Sequence, residues 1–380
     1  MKKTKVLFFV DRLLVGGIQS LLYNWVERLD LSKISVDFLV LDDGNTYELE
    51  DKIHKIGCRV IKLKNIWVKT PIDFIKEAKA LDTFFKENHD YDVVHLHSSS
   101  KNYMVLKYAK KYNIKTRISH SHNVGFQTTN PIKKIIGNIF KKRLIHYSTD
   151  FFACSKDAGE WLFGKKIIEQ NNFHILHNAI DLEKFKYNNK KREKIRMDYS
   201  LSEKTVVMGH IGRFMQQKNH SFLIDIFNEY HKINKNSKLM LVGTGELESE
   251  IKNKAKELKL IDDIIFVGFK ENANDFIQAF DLFVFPSLFE GLGIVLIEAQ
   301  ASGLPCFASK YVIPEEAKIL KSFKSISLDV NPKEWANIIN NSSLERCFNV
   351  KEAIIKSGYD INEVICYLQK FYIDKAKGNL

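Results

Sequence analysis

The sequence predicts an α/β protein of two doubly wound parallel-sheet domains, and three observations carry that expectation. At 380 residues the chain exceeds what one hydrophobic core ordinarily organises, so two domains are expected. Short apolar runs rich in Val, Ile and Phe alternate with polar stretches of helix length, the pattern of strands buried on both faces and joined by crossover helices. The residues able to do chemistry fall at the ends of those runs: Gly16 and Gly17, His97, His120 and His122, Arg213, Gly243 and Gly245, Gly268, and Glu290 to Glu298. Open parallel sheets bind ligands beyond the carboxyl ends of their strands. The placement therefore predicts two domains facing each other across a cleft.

In chain order, the first half offers the strands KVLFFV, VDFLVL, RVIKL, DVVHLH, TRISHS, FFACS and FHILH. The amphipathic stretch IQSLLYNWVERL follows the first of them as a helix. The pattern restarts near residue 204, after the charged, Asn- and Lys-rich stretch Tyr187–Arg196, with Asn178–Asp181 entering the linker. The second half offers TVVMGHIG, KLMLVG, IIFVG, LFVFPS and PCFAS, with HSFLIDIFNEYHKI as the helix after its first strand. The domains are accordingly expected at 1–185 and 186–360. An amphipathic helix closes the chain in 361–380 and is a candidate to return to the first domain.

A hydrophobic fraction of 45% with 27% charged residues is that of a soluble globular protein. No apolar run approaches the roughly 18 residues of a membrane span, and the opening KKTKVLFFV runs straight into Asp11, so it reads as a buried strand rather than a signal peptide. Cys58, Cys154, Cys306, Cys347 and Cys366 are scattered, without a C-x-x-C pair, as expected of reduced thiols in a cytoplasmic protein. The net charge of +12 is uneven: residues 1–180 hold 29 Lys and Arg against 19 Asp and Glu. A basic first half implies an anionic partner there: a membrane face, a phosphorylated acceptor or nucleic acid. No helix-turn-helix, zinc-finger or RNA-recognition signature supports nucleic acid.

The most informative segment is PSLFEGLGIVLIEAQASGLPC, residues 286–306. A buried strand ends in a turn holding Glu290, Gly291 and Gly293, and a helix carrying Glu298 follows. Glycines there let a ligand approach the backbone, and the N–H groups of Gly293, Ile294 and Val295 can cradle a phosphate. Glu298, about one turn inside, can reach ribose hydroxyls, and Glu290 can hold the next group along. In HIGRFMQQKNH, residues 210–220, Arg213 and Lys218 flank a loop after the second domain's first strand. Two cations there can grip a pyrophosphate and stabilise it as it departs.

Together these residues resemble the retaining glycosyltransferases of the GT-B fold, specifically glycosyltransferase family 4 and its members that build surface polysaccharides. That fold has two Rossmann-like domains. Glu290 and Glu298 match the family's E-x7-E motif, which implies that Glu290 contacts donor-sugar hydroxyls and Glu298 the ribose. GRFMQQK matches its G-R-x4-K, implying that Gly212, Arg213 and Lys218 lie at the donor diphosphate. VGTGEL and FVGF look like its strand ends near the nucleotide, with Gly243 beside it and the backbone from Val267 through Gly268 and Phe269 to Lys270 reading the base. VGGIQS resembles its Gly-Gly loop, implying that Gly17 approaches the donor phosphates and Gly16 the acceptor. Gln19 stands where the family usually carries an acid. ISHSHN puts His120 where such enzymes often carry a histidine near the reaction centre, with His122 and His97 on the acceptor side.

HLH (95–97) and HSH (120–122) each put two imidazoles on one side of a strand, a spacing able to bind zinc. A metallohydrolase would want further ligands and another architecture, so His95 is read as a buried core histidine and no metal site is assigned. In NPIKKIIGNIFKKRLIHY (130–147), Ile132, Ile135, Ile136, Ile139, Phe140 and Leu144 recur at helical spacing among Lys133, Lys134, Lys141, Lys142 and Arg143. Two readings stand: a helix on anionic lipid, or a core-packing helix with a basic outer face. The expectation is a metal-independent, retaining glycosyltransferase with no cofactor, using a nucleoside-diphosphate sugar, UDP-sugar first. Its acceptor would be a lipid-linked saccharide at the inner membrane face, in capsular or extracellular polysaccharide assembly. The rival readings are a sugar-nucleotide epimerase of the same fold and a non-catalytic nucleotide-sugar-binding protein.

Overall fold

The computed structural model describes residues 2–14, 17–63, 71–126, 128 and 130–379. The chain forms two compact units, one of residues 1–179 with 361–380 and one of 180–360. Each is built on a wholly parallel sheet with helices in its crossovers.

The first sheet contains β1 (Thr4–Val10), β2 (Ile34–Leu41), β3 (Arg59–Leu63), β4 (Val93–Leu96), β5 (Thr116–Ser121), β6 (Asp150–Ala153) and β7 (Phe173–Ile175). Their spatial order is β3-β2-β1-β4-β5-β6-β7. Along β1 the side chains alternate between layers: Val6, Phe8 and Val10 feed one core, Leu7 and Phe9 the other. Two-sided burial at period two is why the run is uninterrupted apolar sequence, and each buried Phe or Leu contributes on the order of 1.5–3 kcal/mol. The C-terminal helix Ile361–Lys377 belongs to this unit. Ile361, Val364, Ile365, Leu368, Phe371 and Tyr372 form its buried stripe in the same core as Phe8 and Trp25, at the i, i+3, i+4, i+7 spacing of an amphipathic helix.

The second sheet contains β8 (Val206–Ile211), β9 (Ser237–Val242), β10 (Ile264–Gly268), β11 (Leu282–Phe285), β12 (Cys306–Ser309) and β13 (Phe323–Ile326), in the order β10-β9-β8-β11-β12-β13. The edge strand β13 has no counterpart in the sequence reading. Its four residues, FKSI, are half apolar and only Ile326 is buried, so it lacks the signal of a two-sided strand.

Both orders reverse once. β1 lies between β2 and β4, and β8 between β9 and β11. At such a switch point adjacent crossovers leave in opposite directions and open a crevice at the carboxyl ends of the strands. In the second sheet that crevice is flanked by the loops after β8 and β11, the two segments with the strongest chemical signatures.

Candidate active site

The loop after β8 passes through a short 3-10 turn, Gln216–Lys218, and enters the helix His220–Ile233 through Asn219, whose φ of 54° is left-handed. It is laced to the loop after β11. Leu288 N–H donates to the Gln217 carbonyl at 2.8 Å, Gln217 Nε2 donates to the Phe289 carbonyl at 2.8 Å, and Asn219 Nδ2 donates to the Pro286 carbonyl at 3.1 Å. These bonds hold Lys218 against Glu290. Lys218 Nζ lies 2.6 Å from Glu290 Oε1, with the two side chains only 17% and 7% exposed. The ammonium also sits 4.7 Å from the centre of the Phe285 ring, an attraction that grows with desolvation. Arg213 is different: its side chain is 69% exposed, and its partner is Glu246 at 3.3 Å.

The neighbouring strand ends close on the same place. Gly212 N–H donates to the Val242 carbonyl at 3.0 Å, and Gly243 N–H to the Gly268 carbonyl at 2.9 Å. Gly243 has φ +138°, and a Cβ on it would stand 2.2 Å from the Gly212 carbonyl oxygen, so only glycine permits this approach. Val267 and Gly268 are half-buried, and the Phe269 ring just beyond β10 is 63% exposed. On the β11 side Gly293, left-handed at φ +74°, caps the helix Ile294–Ala301. The first N–H groups of any helix lack intrahelical partners, and here they belong to Ile294 and Val295. Glu298, in that helix's second turn, is half-buried. Burial pushes its carboxyl up to about 7, with Lys184 pulling the other way.

The second unit thus gathers Gly212, Lys218, Gly243, Gly268, Glu290, Gly291 and Gly293 at one sheet end, with Arg213 as an extended arm. Gln217, Asn219, Phe285 and Glu246 are parts of this arrangement that the sequence reading did not single out. Their roles are contacts between loops about 70 residues apart, or in Glu246 a partner for one cation, and neither leaves a spacing signal. A cavity of about 490 Å³ between Lys191–Tyr199 and Lys270–Phe276 contains none of these groups, and its Lys191 is paired with Asp275 at 2.5 Å.

In the first unit, Gly16 lies outside the described residues, while Gly17 begins the helix Gly17–Val26 with open space around its Cα. Gln19 Nε2 donates to the Arg12 carbonyl at 2.9 Å, so this side chain braces its own loop. The four histidines of HLH and HSH converge. His95 Nε2 lies 3.2 Å from His120 Nδ1, His97 Nδ1 lies 3.2 Å from His122 Nε2, and the Tyr372 hydroxyl lies 2.6 Å from His95 Nδ1. His95, His97 and His120 are buried and His122 partly so. Burial holds His95, His97 and His120 well below the ordinary imidazole range, the neighbouring imidazoles adding to it, and holds His122 down to about 4. One ring nitrogen each of His95, His97 and His120 falls within 4.8 Å of the others, close enough to be weighed as a cation site below.

The helix Pro131–Tyr147 is capped by Asn130, whose side chain accepts from the N–H groups of Ile132 and Lys133. Its apolar residues divide between two faces: Leu144 is buried in the core with Phe140, Ile145 and Tyr147 packed against it, while Ile132, Ile135, Ile136 and Ile139 are exposed. The core-packing reading therefore holds for the Phe140–Tyr147 part of the helix, and the isoleucines lie outside it. Lys141 departs from the expected basic face. Its ammonium lies 3.8 Å from the Trp161 ring centre and donates to the Trp161 carbonyl at 2.6 Å, and burial lowers its pKa to about 8. Among the described residues no helix is long and apolar enough to cross a membrane.

Comparison with known proteins agrees along the whole chain. Residues 15–184 match the family model described as Glycosyltransferase Family 4, and residues 191–360 match Glycosyl transferases group 1. The putative glycosyltransferase EpsF of Bacillus subtilis is 30% identical over 374 residues, covering 97% of this chain and 96% of the relative. The Escherichia coli UDP-Gal:alpha-D-GlcNAc-diphosphoundecaprenol alpha-1,3-galactosyltransferase is 23% identical, covering 95% and 94%. Among solved structures, that of Anabaena HepE in complex with UDP and glucose superposes with a TM-score of 0.73 at 17% identity, covering 99% of this chain and all of the other. With two parallel-sheet domains in the GT-B arrangement of strands, a family 4 half and a group 1 half, the chain belongs to the glycosyltransferases.

Proposed function

We propose that this enzyme transfers a sugar from a UDP-sugar to a lipid-linked saccharide, with retention and without a divalent cation or other cofactor, in the assembly of a surface polysaccharide. The observation that carries the reading is the Lys218–Glu290 pair, held between the loops after β8 and β11, with Arg213 exposed in the first of those loops. The relative that names UDP-galactose and a diphosphoundecaprenol acceptor, and the neighbour solved with UDP and glucose, support this choice of donor and acceptor class.

In this reading Arg213, Lys218 and the amides of Gly293, Ile294 and Val295 take the diphosphate. Gly212 and Gly243 let the backbone approach it, and Glu298 holds the ribose. The Val267–Lys270 backbone reads the base, with the exposed Phe269 ring beside it. Glu290 holds the sugar's hydroxyls. Inversion needs a base opposite the leaving group, and double displacement needs a carboxylate at the anomeric carbon. Glu290 is committed to Lys218 and the hydroxyls, which leaves same-face substitution. The bond to the diphosphate breaks, the acceptor oxygen bonds to the same face, and the departing diphosphate takes the acceptor's proton. The protein stabilises the separating charge, and His120 contributes a polar contact. An α-linked donor then gives an α-linked product, read by proton NMR of the initial product. A β-linkage overturns the mechanism, and a free or rearranged sugar nucleotide without acceptor favours an epimerase.

Two further outcomes follow. Cations already neutralise the diphosphate, so EDTA is expected to leave the rate within about twofold. Activity abolished by EDTA and restored by manganese or magnesium overturns that part. The exposed isoleucines of Pro131–Tyr147, flanked by Lys133, Lys134 and Lys142, suit the surface of an anionic membrane. Neutralising those three lysines should lower sedimentation with anionic vesicles severalfold, an attraction that salt also screens, while UDP binding stays intact. Equal binding to neutral and anionic vesicles removes the membrane role.

A further inference from the structure

The histidine cluster contains more order than a group of buried imidazoles requires. Tyr372, on the C-terminal helix, is fully buried, and among the described residues its hydroxyl's hydrogen-bond partner is His95 Nδ1, at 2.6 Å. Burial raises the phenol's pKa well above its ordinary value, so the hydroxyl keeps its proton. If His95 Nδ1 carried a hydrogen, the phenol hydrogen would be left without an acceptor in a dry site, an arrangement buried donors avoid. The phenol therefore donates, and His95 Nδ1 accepts. A neutral imidazole carries its one hydrogen on the other nitrogen, so His95 is the Nε2–H tautomer. That hydrogen is donated across 3.2 Å to His120 Nδ1, which makes His120 an Nε2–H tautomer in turn.

His120 Nε2 is buried and has no hydrogen-bond partner in the structure. Two neighbouring rings share the condition: Trp25 Nε1 and His97 Nε2 are also buried and unpartnered, with ring centres 5.9 and 5.2 Å from that of His120. Unmet hydrogen-bonding capacity concentrated in one place marks a position for a polar group.

We infer that the row Tyr372–His95–His120 fixes His120 as a neutral hydrogen-bond donor at Nε2, aimed at a substrate hydroxyl, and that Tyr372 and His95 are positioning residues that act through it. This inference rests on the sugar-transfer reading for the identity of the hydroxyl, and on this unit's geometry alone for the tautomer. It assigns His120 a chemical role: a group whose Nδ1 is occupied and whose Nε2 is protonated cannot take the acceptor's proton. It also accounts for the family 4 half of this chain being completed by a helix from its far end. A shared cation on His95, His97 and His120 would need a lone pair that His95 does not have, because one nitrogen accepts from Tyr372 and the other carries the hydrogen.

The test reads tautomers directly. In the full-length protein labelled with 15N-histidine at pH 7.5, with His120 assigned from a His120→Gln sample, His120 should show a protonated Nε2 and an acceptor-type Nδ1. In Tyr372→Phe, which keeps the ring and removes only the hydroxyl, the His120 nitrogens should shift toward a mixture of both tautomers. Turnover should fall about fivefold to tenfold at unchanged KM for the nucleotide sugar. Wild-type His120 protonated at Nδ1, or a Tyr372→Phe spectrum identical to wild type, overturns the inference. Stoichiometric zinc retained by the purified protein, with loss of the His95 Nε2–H signal, overturns it in favour of a metal centre. The spectra need no turnover, so failure of the sugar-transfer reading would appear separately, as absent transfer with the tautomers intact.

Discussion

Lys218→Ala should be the most damaging single change in the second unit, lowering UDP affinity, turnover and stability together. Losing a charge-assisted contact to the diphosphate costs on the order of 1.5–3 kcal/mol, which is roughly 10- to 150-fold in affinity. Removing a preorganised donor that meets charge developing in the transition state typically costs a further 10²–10³ in turnover. The same truncation strands Glu290, 7% exposed, as a buried carboxylate without its cation. Breaking such a pair from one side is worth about 3–5 kcal/mol when fully buried, and somewhat less with Lys218 at 17% exposure. Arg213→Ala makes the contrast. Its side chain is mostly exposed and its pairing with Glu246 is a surface one, so stability should stay within about 0.5 kcal/mol while UDP affinity falls. The double change Lys218→Met with Glu290→Gln should recover stability relative to Lys218→Ala but not turnover. Calorimetry with UDP, thermal melts and initial rates separate these effects. UDP affinity unchanged in both Lys218→Ala and Arg213→Ala removes the diphosphate assignment.

Mild acid should unfold the first unit while the second still holds. In the first unit His95, His97 and His120 are held well below the ordinary imidazole value and His122 down to about 4, all chiefly by burial. In the unfolded chain each protonates near 6.5. As pH falls from about 6.5 toward 4, the unfolded state binds protons that the folded state refuses, so stability falls over that window and is fully present above it. The slope approaches about 1.4 kcal/mol per histidine per pH unit below the unfolded pKa. Glu77 opposes this: burial raises its carboxyl to about 7, against a pull from Lys101, so the folded state gains a proton first as pH drops. One raised acid against six depressed histidines, His174 and His177 being lowered by burial as well, leaves a net loss of several kcal/mol by pH 5, comparable to the whole stability of a domain. The second unit has the depressed His210 and His220 against the raised Glu298, and its loss should be smaller. Urea unfolding at pH 7.5 and 5.5, with hydrogen exchange resolving the units, checks this. A first unit equally stable at both pH values would mean that the imidazoles find protons or water in the native state.

How far the sequence could be read depended on the range of each interaction. Strands β1 to β12 were legible because two-sided burial writes itself as a local run of Val, Ile, Leu and Phe, whereas β13, four residues at a sheet edge with one buried side chain, was not. The E-x7-E spacing and the Gly-Arg-x4-Lys loop are likewise local, and each needs only one turn or one loop to be recognised. The helix Pro131–Tyr147 shows the limit. Its periodicity was visible, but only the structure divides its apolar residues between a core-packed set, Phe140, Leu144, Ile145 and Tyr147, and four exposed isoleucines. Lys141, one of five cations in that stretch, is withdrawn by Trp161 and Phe126, which no count of charges could reveal.

The sequence by itself determined the α/β class, the strand-end position of the chemistry, the uneven charge and the donor motifs, because these follow from composition and from periods of two to eight residues. Tertiary structure alone decided which cation is buried and which is exposed. It joins Lys218 to Glu290 across 72 positions, braces Gln19 against its own loop, and brings Tyr372 to His95 across 277. The physical reason is the same in each case. Desolvation, ion pairing and the choice of tautomer depend on what surrounds an atom in three dimensions, and in this chain those surroundings are assembled from segments that no local pattern connects.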